Sequence, residues 1–219
     1  MPPFRHAVFD LDGTLLDSLP LWEHLGEDYL RSKGIEPPQN LFFEILTRTI
    51  PETAEMFHSR WGIGRDAENV RDELCRRIAD YYALSVPAKP FAIPLLRALQ
   101  KAGISLCVAT SNDRAIVTPS LKRLGIESCF DFLLTSTEFG SGKESPGIYR
   151  ACMERLGGTR DDTVVFEDAW YAVKTASEDG FRVIAVRDPS EAGNAPKIEA
   201  AAERILPDDL PELLDALRG

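Results

Sequence analysis

The sequence predicts an α/β protein, a mainly parallel sheet covered by helices on both faces, with an all-helical second domain inserted after the first strand. Three observations predict it. Short apolar runs without a polar face, such as residues 104–109 (ISLCVA), suit strands buried on both sides. Helical patterns alternate with these runs through the last two-thirds of the chain and stop at Gly103, Gly125 and Gly180. Residues 18–87 hold helical patterns and no strand run.

The first strand is expected at residues 6–9, where an apolar run leads into a pair of aspartates. Further strands are expected at 104–109, 130–134, 163–166 and 181–186, with a short edge strand at 204–206. Between and after them lie helical patterns at 94–102, 114–124, 145–156, 169–179 and 210–217. Strands alternating with helices in this way call for a parallel sheet covered on both faces. The inserted block carries helical patterns at 21–33, 39–46, 52–61 and 67–83, punctuated by Gly34, Pro37, Pro38, Pro51, Gly62 and Gly64. The expected division is a core of residues 1–16 and 89–219 and a helical domain of residues 17–88, with Pro87 and Pro90 stiffening the return.

Composition narrows the function. A chain of 219 residues with 44% hydrophobic and 27% charged residues fits an ordinary globular protein. No stretch approaches the roughly 18 apolar residues of a membrane span, and the first residues lack the layout of a signal peptide, so a cytoplasmic protein without membrane attachment is expected. Cys75, Cys107, Cys129 and Cys152 are scattered, too far apart for a zinc site, and are expected to be reduced and structural. A net charge of −10 argues against nucleic-acid binding, which needs clustered Lys and Arg. It would also repel an anionic substrate unless a local cation outweighs the global field.

The strongest chemical signal is Val8-Phe9-Asp10-Leu11-Asp12-Gly13-Thr14. An apolar strand ends in two carboxylates two residues apart, followed by a glycine and a hydroxyl. At average composition D-x-D-G-T arises by chance in roughly a few chains per thousand of this length. On a regular strand Asp10 and Asp12 would point the same way, and Gly13 would let the backbone turn sharply behind them. Open α/β sheets bind ligands beyond the carboxyl ends of their strands, where this pair falls. Three further candidates each follow a separate expected strand: Thr110-Ser111-Asn112, Lys143 in a glycine-rich loop, and Glu167-Asp168. Taken singly, the first and third are ordinary helix-capping arrangements and Lys143 ordinary surface. A parallel sheet brings those strand ends to one edge, which makes them one candidate site.

In order and type these segments resemble the four motifs of the haloacid dehalogenase-like superfamily, over residues 7–186. The helical insert resembles the cap of the branch that includes beta-phosphoglucomutase and phosphoglycolate phosphatase. The resemblance implies a Rossmann-like core, an Mg2+ cofactor and a small phosphorylated metabolite, such as a sugar phosphate or phosphoglycolate, as substrate. It implies that Asp10 attacks phosphorus to give an aspartyl-phosphate, dividing one displacement into two. Asp12 would protonate the leaving oxygen and then activate water. Thr110 and Lys143 would hold the phosphate oxygens, with Ser111, Asn112 and loop amides near Leu11 and Ser111 assisting. Asp10, Asp168, a carbonyl of Asp12 and, directly or through water, Glu167 would hold the metal.

Departures from the family pattern discriminate among its chemistries. Lys143-Glu144-Ser145-Pro146 stands where K-P-x-P is common, and Ala169-Trp170-Tyr171-Ala172 where the fourth motif continues S-x-x-G. Mutase members carry a histidine five residues after the position of Asp17, where this chain has Trp22, and an arginine near Pro51. That favours a phosphatase over a mutase. Asp12 argues against dehalogenation, and Lys33, the single lysine between Asp17 and Pro87, is poorly placed for a phosphonatase Schiff base. Two other classes are a phospho-acceptor signalling domain, which would be shorter and lack the insert, and a non-catalytic binding protein on the same fold. Leu19, Trp22, Glu23, Arg48 and Thr49 are the candidates for substrate selection from the insert.

Overall fold

The computed structural model describes residues 4–45 and 48–217. Its strands are β1 (His6–Phe9), β2 (Ser105–Thr110), β3 (Phe132–Thr135), β4 (Thr163–Glu167), β5 (Arg182–Val186) and β6 (Arg204–Leu206). They form one sheet in the order β3-β2-β1-β4-β5-β6, and every pairing is parallel. β1 lies between β2 and β4, with Phe9 opposite Val108 on one side and Phe166 on the other. The strand order reverses there, and in such sheets the reversal opens a crevice at the carboxyl edge.

Alternation of side chains divides the core into two faces. On one, Val8, Cys107, Ala109, Val165, Val183 and Ala185 pack with Tyr149 and Cys152 of α8 (Gly147–Leu156), Val173 and Ala176 of α9 (Trp170–Glu178), and Ile198 of α10 (Ala195–Ala201). Ala7, Phe9, Leu106, Val108, Val164 and Phe166 alternate with them and are equally buried. Both faces are covered, which is why these strands read as continuous apolar runs.

Element ends differ from the sequence reading for identifiable reasons. The third strand begins at Phe132 rather than 130 because Glu127–Cys129 forms a 3-10 turn. Helix α5 spans Ala92–Lys101 against an expected 94–102, and α8 begins at Gly147 rather than 145, with Pro146 at its N-cap. Two helices carry no clear sequence signal: α7 (Ser136–Phe139), a single turn closed by a Thr135/Glu138 capping box, and α10, obscured by Gly193, Asn194 and Pro196. Proline in a first turn forfeits no helical hydrogen bond. Cys107 and Cys152 are buried, whereas Cys75 is exposed and has no core role.

The chain divides into two compact units, Met1–Asp17 with Pro87–Gly219, and Ser18–Val86. The second unit is α1 (Leu19–Ser32), α2 (Leu41–Ile45), α3 (Ile50–Trp61) and α4 (Ala67–Leu84), around stacked Tyr29 and Phe57 rings 5.8 Å apart. Leu46, part of the helix expected at 39–46, lies outside the described residues. Of the candidates for substrate selection, Thr49 is committed to a capping box with Glu52, and Arg48 Nε donates to the Glu44 carbonyl. Trp22 and Glu23 are exposed on α1, Leu19 is half-buried, and Lys33 is held by Glu73 at 2.5 Å. In the first unit Lys89, just past the return, is buried and donates to Asp188 at 2.8 Å and to the Arg187 carbonyl at 3.0 Å. Among the described residues no helix is long and apolar enough to cross a membrane.

Candidate active site

The site grows from the end of β1. Phe9 is fixed by a stack on Phe166 with ring centroids 4.1 Å apart, and the Asp10 amide donates to the Phe166 carbonyl at 3.0 Å. The chain then turns: the Leu11 carbonyl accepts the amides of Leu15 and Leu16 at 2.9 and 2.7 Å. Alternation along a regular strand therefore stops before it reaches Asp12. Asp10 is buried, whereas Asp12 is half-buried and accepts from Asn112 Nδ2 at 3.3 Å. Gly13 has φ of 85°, and a Cβ there would overlap the Asp168 carboxylate, so glycine is required on both counts. Thr14 Oγ1 donates to Asp168 Oδ1 at 2.7 Å.

Lys143 is not surface. It is 2% exposed, and its ammonium donates to both Asp10 and Glu167, the latter at 2.6 Å. From α8 the buried Tyr149 hydroxyl donates to the same Glu167 oxygen at 2.8 Å. Asp10, Glu167 and Asp168 are all buried and offer carboxylate oxygens within 4.8 Å of one another. Glu167 and Asp168 do not cap the helix after them; the N-cap of α9 is Ala169, without a side-chain cap bond.

The electrostatics follow from this crowding. Burial pushes the Asp10 carboxyl up to about 7; Lys143 pulls it back, and Glu167 and Asp12 push it further. Burial, then the neighbouring Asp10 and Glu167, holds Asp168 well above the ordinary carboxylate range. Burial works against the Lys143 charge, but the two carboxylates outweigh it and keep the ammonium protonated. One cation faces three clustered carboxyls, so the cluster either retains protons or takes up a further cation. An all-oxygen, acidic donor set of this kind fits a hard divalent cation such as Mg2+.

Thr110 ends β2, fully buried, with Oγ1 accepting from the Asn112 amide at 3.1 Å. It caps no helix: the N-cap of α6 (Arg114–Arg123) is Asp113, also without a side-chain cap bond. Ser111 is exposed. The structure thus joins Asp10, Lys143, Glu167 and Asp168 in one cluster and links Asp12 to Asn112 and Asn112 to Thr110. Sequence reasoning missed the contacts of Thr14 and Tyr149. Thr14 stood in the first motif without a role, and Tyr149 had one available signal, a hydroxyl on the otherwise apolar face of an amphipathic helix.

The family model described as haloacid dehalogenase-like hydrolase matches residues 7–186. Hexitol phosphatase A of Escherichia coli is 31% identical over 84% of this chain and 83% of its own. A phosphorylated carbohydrates phosphatase of Thermotoga maritima is 25% identical over 95% and 97%. A solved Thermotoga maritima structure, described as a "putative beta-phosphoglucomutase", has a TM-score of 0.84 at 25% identity and covers 98% of both chains. A matching model over most of the core, together with a relative of this identity and coverage, establishes that the chain belongs to the haloacid dehalogenase-like hydrolase family.

Proposed function

We propose that this chain is an Mg2+-dependent phosphatase that hydrolyses a small phosphorylated metabolite, of the sugar phosphate or phosphoglycolate kind, through an aspartyl-phosphate on Asp10. The observation that carries the reading is the buried cluster of Asp10, Lys143, Glu167 and Asp168 at the carboxyl ends of β1 and β4. Relatives named as phosphatases of hexitols and phosphorylated carbohydrates support the substrate class.

An Asp10 oxygen bonds to phosphorus as the ester P–O bond breaks, and Asp12 gives the leaving oxygen its proton. Water then attacks phosphorus, Asp12 takes a proton from it, and the Asp10–phosphorus bond breaks to release inorganic phosphate. Asp12 suits both duties, being less buried than Asp10 and oriented by Asn112. Lys143 and Thr110 hold the non-bridging oxygens, with Ser111 and Asn112 beside them. Asp10, Glu167, Asp168 and a carbonyl of Asp12 would hold the ion, with Thr14 fixing Asp168 and Gly13 leaving room for its carboxylate. When bound, Mg2+ supplies charge neutralisation between the carboxylate and the anionic ester.

The test is magnesium-dependent phosphate release from an aryl phosphate and a panel of phosphorylated sugars and acids. Chelation is expected to stop turnover, Mg2+ to restore it, and Ca2+ to restore it poorly, because Ca2+ adopts higher and looser coordination. Full activity in excess chelator refutes the metal assignment. A stable single phosphorylation would instead indicate a signalling receiver, and complete inertness a binding protein.

A mutase is the second reading, favoured by the neighbour with a TM-score of 0.84. Trp22 and Pro51 oppose it by replacing the residues that a mutase insert carries. Glucose 1-phosphate, given with its bisphosphate, is expected to yield inorganic phosphate or nothing. Isomerisation to glucose 6-phosphate without phosphate release overturns the hydrolytic reading and leaves Asp10 as nucleophile.

A further inference from the structure

The proposed reaction leaves one buried ion pair of the first unit unused. Lys89 and Asp188 are each 8% exposed, and Lys89 Nζ donates to Asp188 Oδ2 at 2.8 Å and to the Arg187 carbonyl at 3.0 Å. The other Asp188 oxygen, Oδ1, accepts the Ser190 amide at 3.0 Å and the Ser190 hydroxyl at 2.6 Å. Burial raises the Asp188 pKa, but the bonds from Lys89 and Ser190 outweigh it and hold the carboxyl below its ordinary range. Phe91, Ala92 and Val186, close by in sequence, are buried and apolar. In such surroundings an apolar pair of similar volume is often as stable as an ion pair, so stability alone does not account for the charges. What an apolar pair lacks is direction. An ammonium bonded to two fixed oxygens sets one position for the segment that carries it.

That segment is joined to the first motif through backbone. Ala88 pairs with Leu16 in an antiparallel bridge, the Lys89 amide donates to the Leu15 carbonyl at 2.9 Å, and the Asp17 amide donates to the Pro87 carbonyl at 2.9 Å. Leu16 pairs in turn with Asp12, and its carbonyl accepts the Gly13 amide at 2.9 Å. In a planar trans peptide the N–H and C=O point opposite ways, so the bond from Gly13 fixes the direction of the Asp12 carbonyl. The next residue, Thr14, donates to Asp168 Oδ1 at 2.7 Å. One chain of bonds therefore runs from the carboxyl end of β5, through Lys89 and Leu16, to the Asp12 carbonyl and the Asp168 carboxylate.

Taking as given the proposed reading in which that carbonyl and that carboxylate hold Mg2+, we infer that Lys89 and Asp188 are a positioning pair for the metal site. They act through Leu16 and not by contact with metal or ester. Their bond holds residues 87–89 against the end of β5, and the paired backbone of Leu16 passes that position on to the Asp12–Gly13 peptide and to Thr14. Small displacements count heavily there, because Mg2+ demands near-ideal octahedral geometry.

Mg2+ affinity, measured by calorimetry without ester, tests this independently of turnover. The double variant Lys89→Met/Asp188→Asn removes the ion pair, leaves the net charge unchanged and keeps an oxygen for Ser190. It is expected to bind Mg2+ about tenfold more weakly than wild type, the low end of what outer partners of metal ligands cost. Its urea midpoint is expected to stay near that of wild type, because both buried charges are gone together. The single variants separate positioning from through-space charge. Lys89→Met removes a positive charge and Asp188→Asn a negative one, so charge alone would tighten Mg2+ in the first and loosen it in the second. Positioning requires that both loosen it, each about fivefold to tenfold. Lys89→Met leaves Asp188 buried without its partner; where it does not fold, the double variant and Asp188→Asn decide. The inference is overturned if the double variant binds Mg2+ within about twofold of wild type, or if Lys89→Met binds it more tightly. Wild-type protein that binds no Mg2+ would instead remove the metal reading itself, and this inference with it.

Discussion

Asp10→Asn is expected to lower phosphate release at least about a thousandfold while the fold persists, because the substitution removes the proposed nucleophile and keeps its shape. The stability of the metal-free protein supplies a second readout. The Asp10 carboxyl is raised from 3.8 to about 7, chiefly by burial, so between those values the folded protein retains a proton that the unfolded chain has released. Stability therefore falls as pH rises through that window and stays reduced above it. Asparagine carries no such proton. Urea unfolding in chelator, at pH 4 and at pH 7.5, should show a smaller drop for the variant than for wild type. Turnover within tenfold of wild type would remove Asp10 from its role, whereas an unchanged pH slope would remove only the account of its burial.

The fold was legible in the sequence where burial on both faces leaves an unambiguous apolar signature. Residues 163–166 and 181–186 read as strands because, past Thr163 and Arg182, their side chains are apolar on both faces, and β4 and β5 lie there. The α10 helix was illegible because its first residues carry the loop composition Gly193-Asn194 and a proline, although proline suits a first turn. The residue types of the site were legible at strand ends because the chemistry needs them within reach of one another. Their partners were not. Nothing in Gly142-Lys143-Glu144 distinguishes a solvated lysine from one that is 2% exposed between two carboxylates. The difference lies in contacts across 24 and 133 residues of sequence, which only the parallel register supplies.

That register also resolves the conflict posed by a net charge of −10. An acidic protein can bind an anion when a cation lies in a site with water excluded, where charge interactions are less screened than at the surface. Lys143 is placed that way, and the Tyr149 hydroxyl donates to the same Glu167 oxygen. In the proposed reaction Lys143 would serve two ends, balancing the carboxylates before substrate arrives and the phosphoryl oxygens afterwards.

Lys143→Met separates those two duties. Methionine retains the length of the stem and removes the charge. Activity is expected to fall about a hundredfold to a thousandfold, mainly in kcat, because in the proposed reaction the lost cation would meet charge that develops at phosphorus. Without metal the variant also leaves Asp10, Glu167 and Asp168 clustered and without the ammonium. Breaking a buried ion pair on one side costs about 3 kcal/mol or more when the remaining charge stays buried. The cost depends on ionisation. Removing Lys143 takes away the principal influence that lowers the Asp10 pKa, so the window in which stability falls with pH widens upward from about 7. Urea melts in chelator should therefore show a small deficit relative to wild type at pH 5 and a large one at pH 8, and Mg2+ should recover part of the pH 8 deficit by supplying positive charge to the same oxygens. A deficit equal at both pH values and unmoved by Mg2+ would mean that Lys143 stabilises the core by packing alone, and would detach it from the acidic cluster on which the proposed chemistry depends.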